Sequence, residues 1–110
     1  MGHEILVGRN NIQNDRLTVS ADRNDLWLHT KNYHSAHVIV KYNGSPIPDS
    51  VIEYAARLCA SYSSAKNATK IPVDYTLKKF VKKPAGAKVG TVYYTNQTTV
   101  IVDPLDLTKI

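Results

Sequence analysis

What most constrains the fold of this chain is the way its apolar residues are parcelled. Ile5-Leu6-Val7, Leu17-Thr18-Val19, Leu26-Trp27-Leu28-His29 and His37-Val38-Ile39-Val40 are short runs, each of a length and pattern that suits a strand. Between them lie Gly8-Arg9-Asn10-Asn11, Ala21-Asp22-Arg23-Asn24 and Lys31-Asn32-Tyr33-His34, rich in side chains that bond to their own backbone and so favour turns. Connections this short join antiparallel neighbours, because a parallel pair needs a crossover of a dozen residues or more.

One segment breaks the strand pattern. Val51, Ile52, Ala55, Leu58, Cys59 and Tyr62 recur at three- and four-residue spacing, with Glu53, Arg57 and Ser61 on the other side. Ser50 and Glu53 stand three apart as a capping box should, so the spacing predicts a helix over about residues 50–65. Beyond it, Ile71–Thr76 reads as a strand with Pro72 at its start or edge, and Thr91–Thr95 and Thr98–Val102 read as a hairpin turned at Asn96-Gln97. The expected fold class is α+β, a mainly antiparallel sheet with one principal helix packed on it, in a single domain spanning residues 1–110.

Composition excludes several alternatives. Apolar residues make up 43% of the chain, enough for a core, so an intrinsically disordered chain is not expected. No apolar run approaches the roughly 20 residues a membrane-spanning helix needs, and no membrane partner is expected. Cys59 is the only cysteine, which forbids an internal disulfide and, inside a predicted helix, reads as a small buried hydrophobe. The abrupt start, with a strand two residues after Met1-Gly2-His3, suggests a module of a longer protein.

The charge is unevenly spread. The net charge is +5, and between Lys66 and Lys88 seven lysines (Lys66, Lys70, Lys78, Lys79, Lys82, Lys83 and Lys88) face Asp74 alone, so 7 − 1 places +6 in that stretch. With Tyr75 and Phe80 interleaved, this is the footprint of a surface that meets phosphates. An ordinary solvated lysine loop has the same composition. A second segment, Gly8 to Asp15, sets Arg9 among Asn10, Asn11, Gln13 and Asn14. Carboxamides both donate and accept and arginine bonds phosphate or guanine bidentately, so this segment either reads nucleotides or orders its own backbone as a loop, with Gly8 free to take a positive φ.

His29, His34 and His37 lie within nine residues, with Asp25 upstream, but their spacing matches no common zinc pattern. On strands, Trp27 and His29 share a face, and His29 and His37 become cross-strand neighbours that bind a metal, stack on a base or serve as structural hydrogen-bonding residues. No nucleophile with a placed base and no phosphate-binding glycine loop is present, so neither catalysis nor a cofactor is expected.

Several of these segments, in order, carry a family resemblance: Val7-Gly8-Arg9-Asn10-Asn11, Gln13-Asn14-Asp15-x-Leu17-Thr18, Asp25-Leu26-Trp27-Leu28-His29, His37-Val38-Ile39, Val73-Asp74-Tyr75-Thr76, Val81-Lys82-Lys83-Pro84-x-Gly86-Ala87 and Gly90-x-Val92-x-Tyr94. The chain resembles the NFACT-R domain. That resemblance implies a cytoplasmic RNA-binding domain near the C-terminal end of a larger protein, in a family whose bacterial members are often labelled fibronectin-binding. It also implies a role in ribosome quality control, gripping tRNA or the rRNA of a stalled large ribosomal subunit. One departure is visible: where the family usually has Gly-Ser before the histidine of its His-Val pair, this chain has Ser35-Ala36 before His37.

Together these readings name Arg9, Asn10, Asn11, Asn14, Trp27, His29, His37, Lys78, Lys79, Lys82 and Lys83 as candidate RNA-binding residues. The lysines would supply sequence-independent attraction, and Arg9 with the amides would fix orientation. The rival is a protein-interaction module, either an adhesin segment engaging fibronectin at the cell surface or a domain docking on other domains of its parent.

Overall fold

A computed structural model of the chain describes residues 2–105. Its centre is a five-stranded, wholly antiparallel sheet in the order β1-β3-β2-β4-β7, formed by β1 (Ile5–Gly8), β2 (Leu26–Thr30), β3 (His37–Val40), β4 (Ile71–Leu77) and β7 (Thr98–Val102). Two helices, α1 (Asn11–Ser20) and α2 (Asp49–Ser61), and a two-stranded ribbon of β5 (Val81–Lys82) and β6 (Tyr93–Tyr94) complete it. The α+β class and the mainly antiparallel sheet are as the sequence predicts.

Strand alternation sorts the core into two halves. Leu26, Leu28, Val38, Val40, Ile71 and Val73 point to one face and pack against Ala55, Ala56, Cys59 and Ala60 of α2. Those four α2 residues are small, so the helix lies close on the sheet, while the larger Val51, Ile52 and Tyr62 flank it half-buried. Trp27 and Ile39 point to the other face, where Leu6, Leu17 and Ala21 close over them together with Val81, Val92 and Tyr94 of the ribbon region. The sheet is thus covered on both sides. Cys59 is fully buried, and the loss of solvent pushes its thiol pKa up to about 12.

Three expectations are corrected. The segment from Asn11 to Ser20, expected as a loop followed by a strand at Leu17-Thr18-Val19, is helix α1. Its inward residues are the polar Asn14 and Thr18, while Ile12 and Val19 are exposed, so the apolar pattern that normally marks a helix is absent. The capping box predicted at Ser50 and Glu53 does not form: α2 spans Asp49–Ser61, short of residue 65, and begins behind Pro48 with no side-chain cap. The reciprocal cap lies instead on α1, where Asn10 Oδ1 accepts from Gln13 N at 2.9 Å and Gln13 Oε1 accepts from Arg9 N at 3.0 Å. Finally, Tyr93-Tyr94 and Thr98–Val102 are not a hairpin, since β6 pairs with β5 and β7 with β4. Tyr94 draws β6 across the sheet face by donating to the Asp74 carboxylate at 2.6 Å and packing on Trp27 at 4.7 Å between ring centroids.

Candidate nucleic-acid interface

The layer over the Trp27 face is built from α1, its flanking turns and residues 78–90, and its charge differs from that of the opposite layer. Residues 9–23 and 78–90 hold Arg9, Arg16, Arg23, Lys78, Lys79, Lys82, Lys83 and Lys88 against Asp15 and Asp22, so 8 − 2 gives +6. Helix α2 with the segment after it to Lys70, on the other side, holds Arg57, Lys66 and Lys70 against Asp49 and Glu53, so 3 − 2 gives +1. Most of the positive charge therefore lies on one face, which attracts polyanions.

Backbone hydrogen bonds position this basic layer. Lys78 N donates to Asp25 O at 2.8 Å and Lys79 N to Arg23 O at 3.1 Å, which ties the lysines that follow β4 to the turn between α1 and β2. Lys83 then pairs with Asp15 of α1, and that hydrogen bond holds the Asp15 carboxyl below the usual carboxylate range. Gly90 packs against Asn11: a Cβ there would sit 3.4 Å from the Asn11 Cβ, and its φ of +85° suits glycine. Lys79, Lys82, Lys83 and Lys88 are exposed and Lys78 half-exposed; the Lys79 ammonium lies 5.2 Å from the Phe80 ring centroid.

The lysine stretch read from the sequence as one unit is divided. Lys66 and Lys70 precede β4 and Lys78 follows it, and seven strand residues at about 3.3 Å each put the two groups at opposite ends of the sheet. In their place the fold recruits Arg16 and Arg23, which the sequence reading missed. Their spacing of seven from Arg9 would have marked one side of a helix had the segment been read as one.

At the other end of α1, Arg9, Asn10 and Asn11 are exposed as expected. The Arg9 guanidinium lies 4.6 Å from the Tyr62 ring centroid, a cation–π contact that fixes it. Three other candidates are not surface residues. Trp27, Asn14 and His37 are only 0%, 5% and 3% exposed, because the inward face of α1 is stitched to β3 through polar groups. Asn14 Oδ1 accepts from His37 N at 3.0 Å, the Thr18 hydroxyl lies 2.8 Å from His37 Nδ1, and Trp27 Nε1 donates to the same hydroxyl at 3.2 Å. They hold the interface in shape from beneath. Gly8 serves this arrangement through space, since a Cβ would fall 2.4 Å from Asn14 Oδ1; its φ is not positive, contrary to expectation.

His29 and His37 are cross-strand neighbours as predicted, their ring centroids 5.3 Å apart and edge to face, with His29 stacked on Trp27 at 5.8 Å. Burial lowers both pKa values, and for His37 burial and then the charge of His29 take it to about 4. Asp25 lies at the far end of β2, where burial alone would raise its pKa, but a hydrogen bond from Lys41 and the N–H groups of Tyr42 and Asp22 keep it below the usual range. No group of three or more metal-ligating side chains is gathered among the described residues. The Ser35-Ala36 departure is accommodated. Ser35 has no positive φ, its hydroxyl accepts from Thr30 N at 3.2 Å, and Ala36 is buried with its N–H donating to Tyr62 O.

A family model described as NFACT protein RNA binding domain matches residues 1–96. The chain is 47% identical over 104 residues to the Rqc2 homolog RqcH of Bacillus subtilis, covering 94% of this chain and 18% of that protein. It is 41% identical over 103 residues to the Rqc2 homolog RqcH of Streptococcus suis, covering 93% of this chain and 18% of the relative. A solved structure, the C-terminal of the fibronectin/fibrinogen-binding protein from Streptococcus suis, superposes with a TM-score of 0.87 at 41% identity, covering 93% of this chain and 41% of that one. The chain thus spans under a fifth of the length of the relatives it matches by sequence.

Proposed function

The chain belongs to the NFACT RNA-binding domain family, and from that premise we propose that it grips tRNA or large-subunit rRNA for a ribosome quality control factor that acts on stalled large subunits. The observation that carries the reading is the concentration of charge, +6 on the α1 and 78–90 layer against +1 on α2 and the segment after it to Lys70. Lys78, Lys79, Lys82 and Lys88, with Arg16 and Arg23, attract the phosphate backbone without regard to sequence. Arg9, Asn10 and Asn11, at the N-terminal end of α1, add directional bonds that set the orientation of a folded RNA. The domain performs no chemistry in this reading, needs no cofactor, and works in the cytoplasm alongside the other domains of its parent.

A second reading has one observation in its favour, the likeness to the C-terminal structure of a Streptococcus suis fibronectin/fibrinogen-binding protein. Under that reading the same basic surface engages a protein at the cell surface. Binding of labelled tRNA by fluorescence anisotropy, beside immobilised fibronectin in a surface assay at the same ionic strength, separates the two. The RNA reading predicts saturable tRNA binding that the unlabelled RNA competes away. Saturable fibronectin binding with no tRNA binding would replace it.

A further inference from the structure

Where α1 begins, three chain segments that are distant in sequence enclose a cleft of about 430 Å³, within the range that accepts small ligands. Its walls are the turn at Arg9 and Asn11, the segment at His34, and the turn after α2 at Tyr62 and Ser64, with Asn14 beneath. Its unused hydrogen-bonding groups are mostly donors. The carbonyls of Tyr62 and His34 are taken by the N–H groups of Ala36 and Ser64. Arg9 makes no ion pair among the described residues, and the first-turn N–H groups of Asn11 and Ile12 find no acceptor there.

Asn14 is the most telling of these groups. Its oxygen is committed to His37 N, while its Nδ2 donates to no described atom. No fully buried polar side-chain atom in the described structure lacks a partner, so this amide nitrogen keeps some exposure, and Asn14 is among the residues that line the cleft. A residue only 5% exposed that keeps a free donor at one opening is poised for an acceptor from outside. Beside it, the Arg9 guanidinium is a planar cation already fixed on Tyr62 at 4.6 Å, and His34 supplies an exposed ring at the opposite wall.

We propose that this cleft seats one unpaired nucleotide of the bound RNA. The phosphate takes the donors at the start of α1, and the base lies against Arg9 and His34 with an acceptor on its edge facing Asn14 Nδ2. A base within a duplex is excluded, because its faces are covered by stacking and its pairing edge is used. The proposal rests on the RNA-binding reading and adds to it a site that discriminates RNA structure, which the lysine surface does not.

The test compares a short single-stranded RNA with a fully paired RNA of the same length, by anisotropy, on the whole chain and on Arg9→Lys and His34→Ala. Arg9→Lys keeps the charge and removes the planar platform, and both positions are exposed. The proposal predicts about tenfold weaker binding of the single strand by Arg9→Lys, and a loss on the duplex that is several-fold smaller. It also predicts that single-stranded RNA shifts the Asn14 side-chain amide signal of ¹⁵N-labelled protein. Equal losses on both RNAs, no loss on either, or an unmoved Asn14 signal with single-stranded RNA bound, would overturn the cleft while leaving RNA binding intact. If neither RNA binds the unaltered chain, the RNA-binding reading fails and the cleft assignment with it.

Discussion

The Thr18 hydroxyl lies 2.8 Å from His37 Nδ1 beneath α1, and with the bond from His37 N to Asn14 Oδ1 it fastens that helix to the sheet. The same oxygen accepts from Trp27 Nε1, so the indole N–H, the hydroxyl and Nδ1 are all satisfied when Thr18 in turn donates to a neutral His37. Thr18→Val keeps the shape and removes the hydroxyl, stranding an indole N–H and an imidazole nitrogen. The expected loss is about 2–4 kcal/mol, measured by urea unfolding with Trp27, the only tryptophan, as the fluorescent reporter. A loss under about 0.5 kcal/mol would mean that water reaches these groups.

Acid should act through His37. Its pKa is depressed to about 4 in the folded chain, so on acidification the unfolded state takes up a proton first, near the ordinary histidine value of 6.5. Stability from this group is therefore fully present above pH 6.5 and is lost as pH falls toward 4, by about 3 kcal/mol. His29, shifted the same way, adds to the trend. Urea midpoints from pH 7 to pH 4 test it, and His37→Gln should flatten the slope across that window.

Gly8 tests the close approach of β1 and α1. A Cβ at this position would stand 2.4 Å from Asn14 Oδ1 and 2.9 Å from Asn14 N, and the second of these is backbone that cannot step aside. Gly8→Ala should cost about 2–3 kcal/mol and loosen the bond between Asn14 and His37 N. Faster hydrogen exchange at the His37 amide, with β4 and β7 unchanged, is the expected signature.

Much of this fold was legible because most of its elements obey their own periodicity. Leu26–His29 and His37–Val40 are short apolar runs of the kind that form strands buried on both faces, Ile71–Thr76 approaches the alternation of a half-buried strand, and the small apolar residues of α2 recur at helical spacing. Helix α1 escaped because its buried face is Asn14 and Thr18 and its exposed face includes Ile12 and Val19, which inverts the pattern hydrophobic periodicity detects. The Asn10–Gln13 cap was the local signal available. Missing α1 also concealed Arg16 and Arg23 as partners of the lysines and made Asn14 look like a surface amide. The pairing of β6 with β5 was not legible, since it depends on Tyr94 reaching Asp74, which is distant in sequence. The sequence reading did anticipate the His29 and His37 pair and the exposure of Arg9, Asn10 and Asn11.

The central claim is that RNA is held by the basic layer the fold assembles, not by the lysine stretch as it runs in the sequence. The most direct measurement is tRNA binding across a salt series for two variants of equal charge change. One neutralises Lys78 and Lys79 and the other Lys66 and Lys70, in each case to alanine. The account predicts that the first flattens the log–log salt slope by roughly one unit per lost phosphate contact, while the second leaves slope and affinity as in the unaltered chain. Equal effects from both pairs, or the larger effect from Lys66 and Lys70, would contradict it.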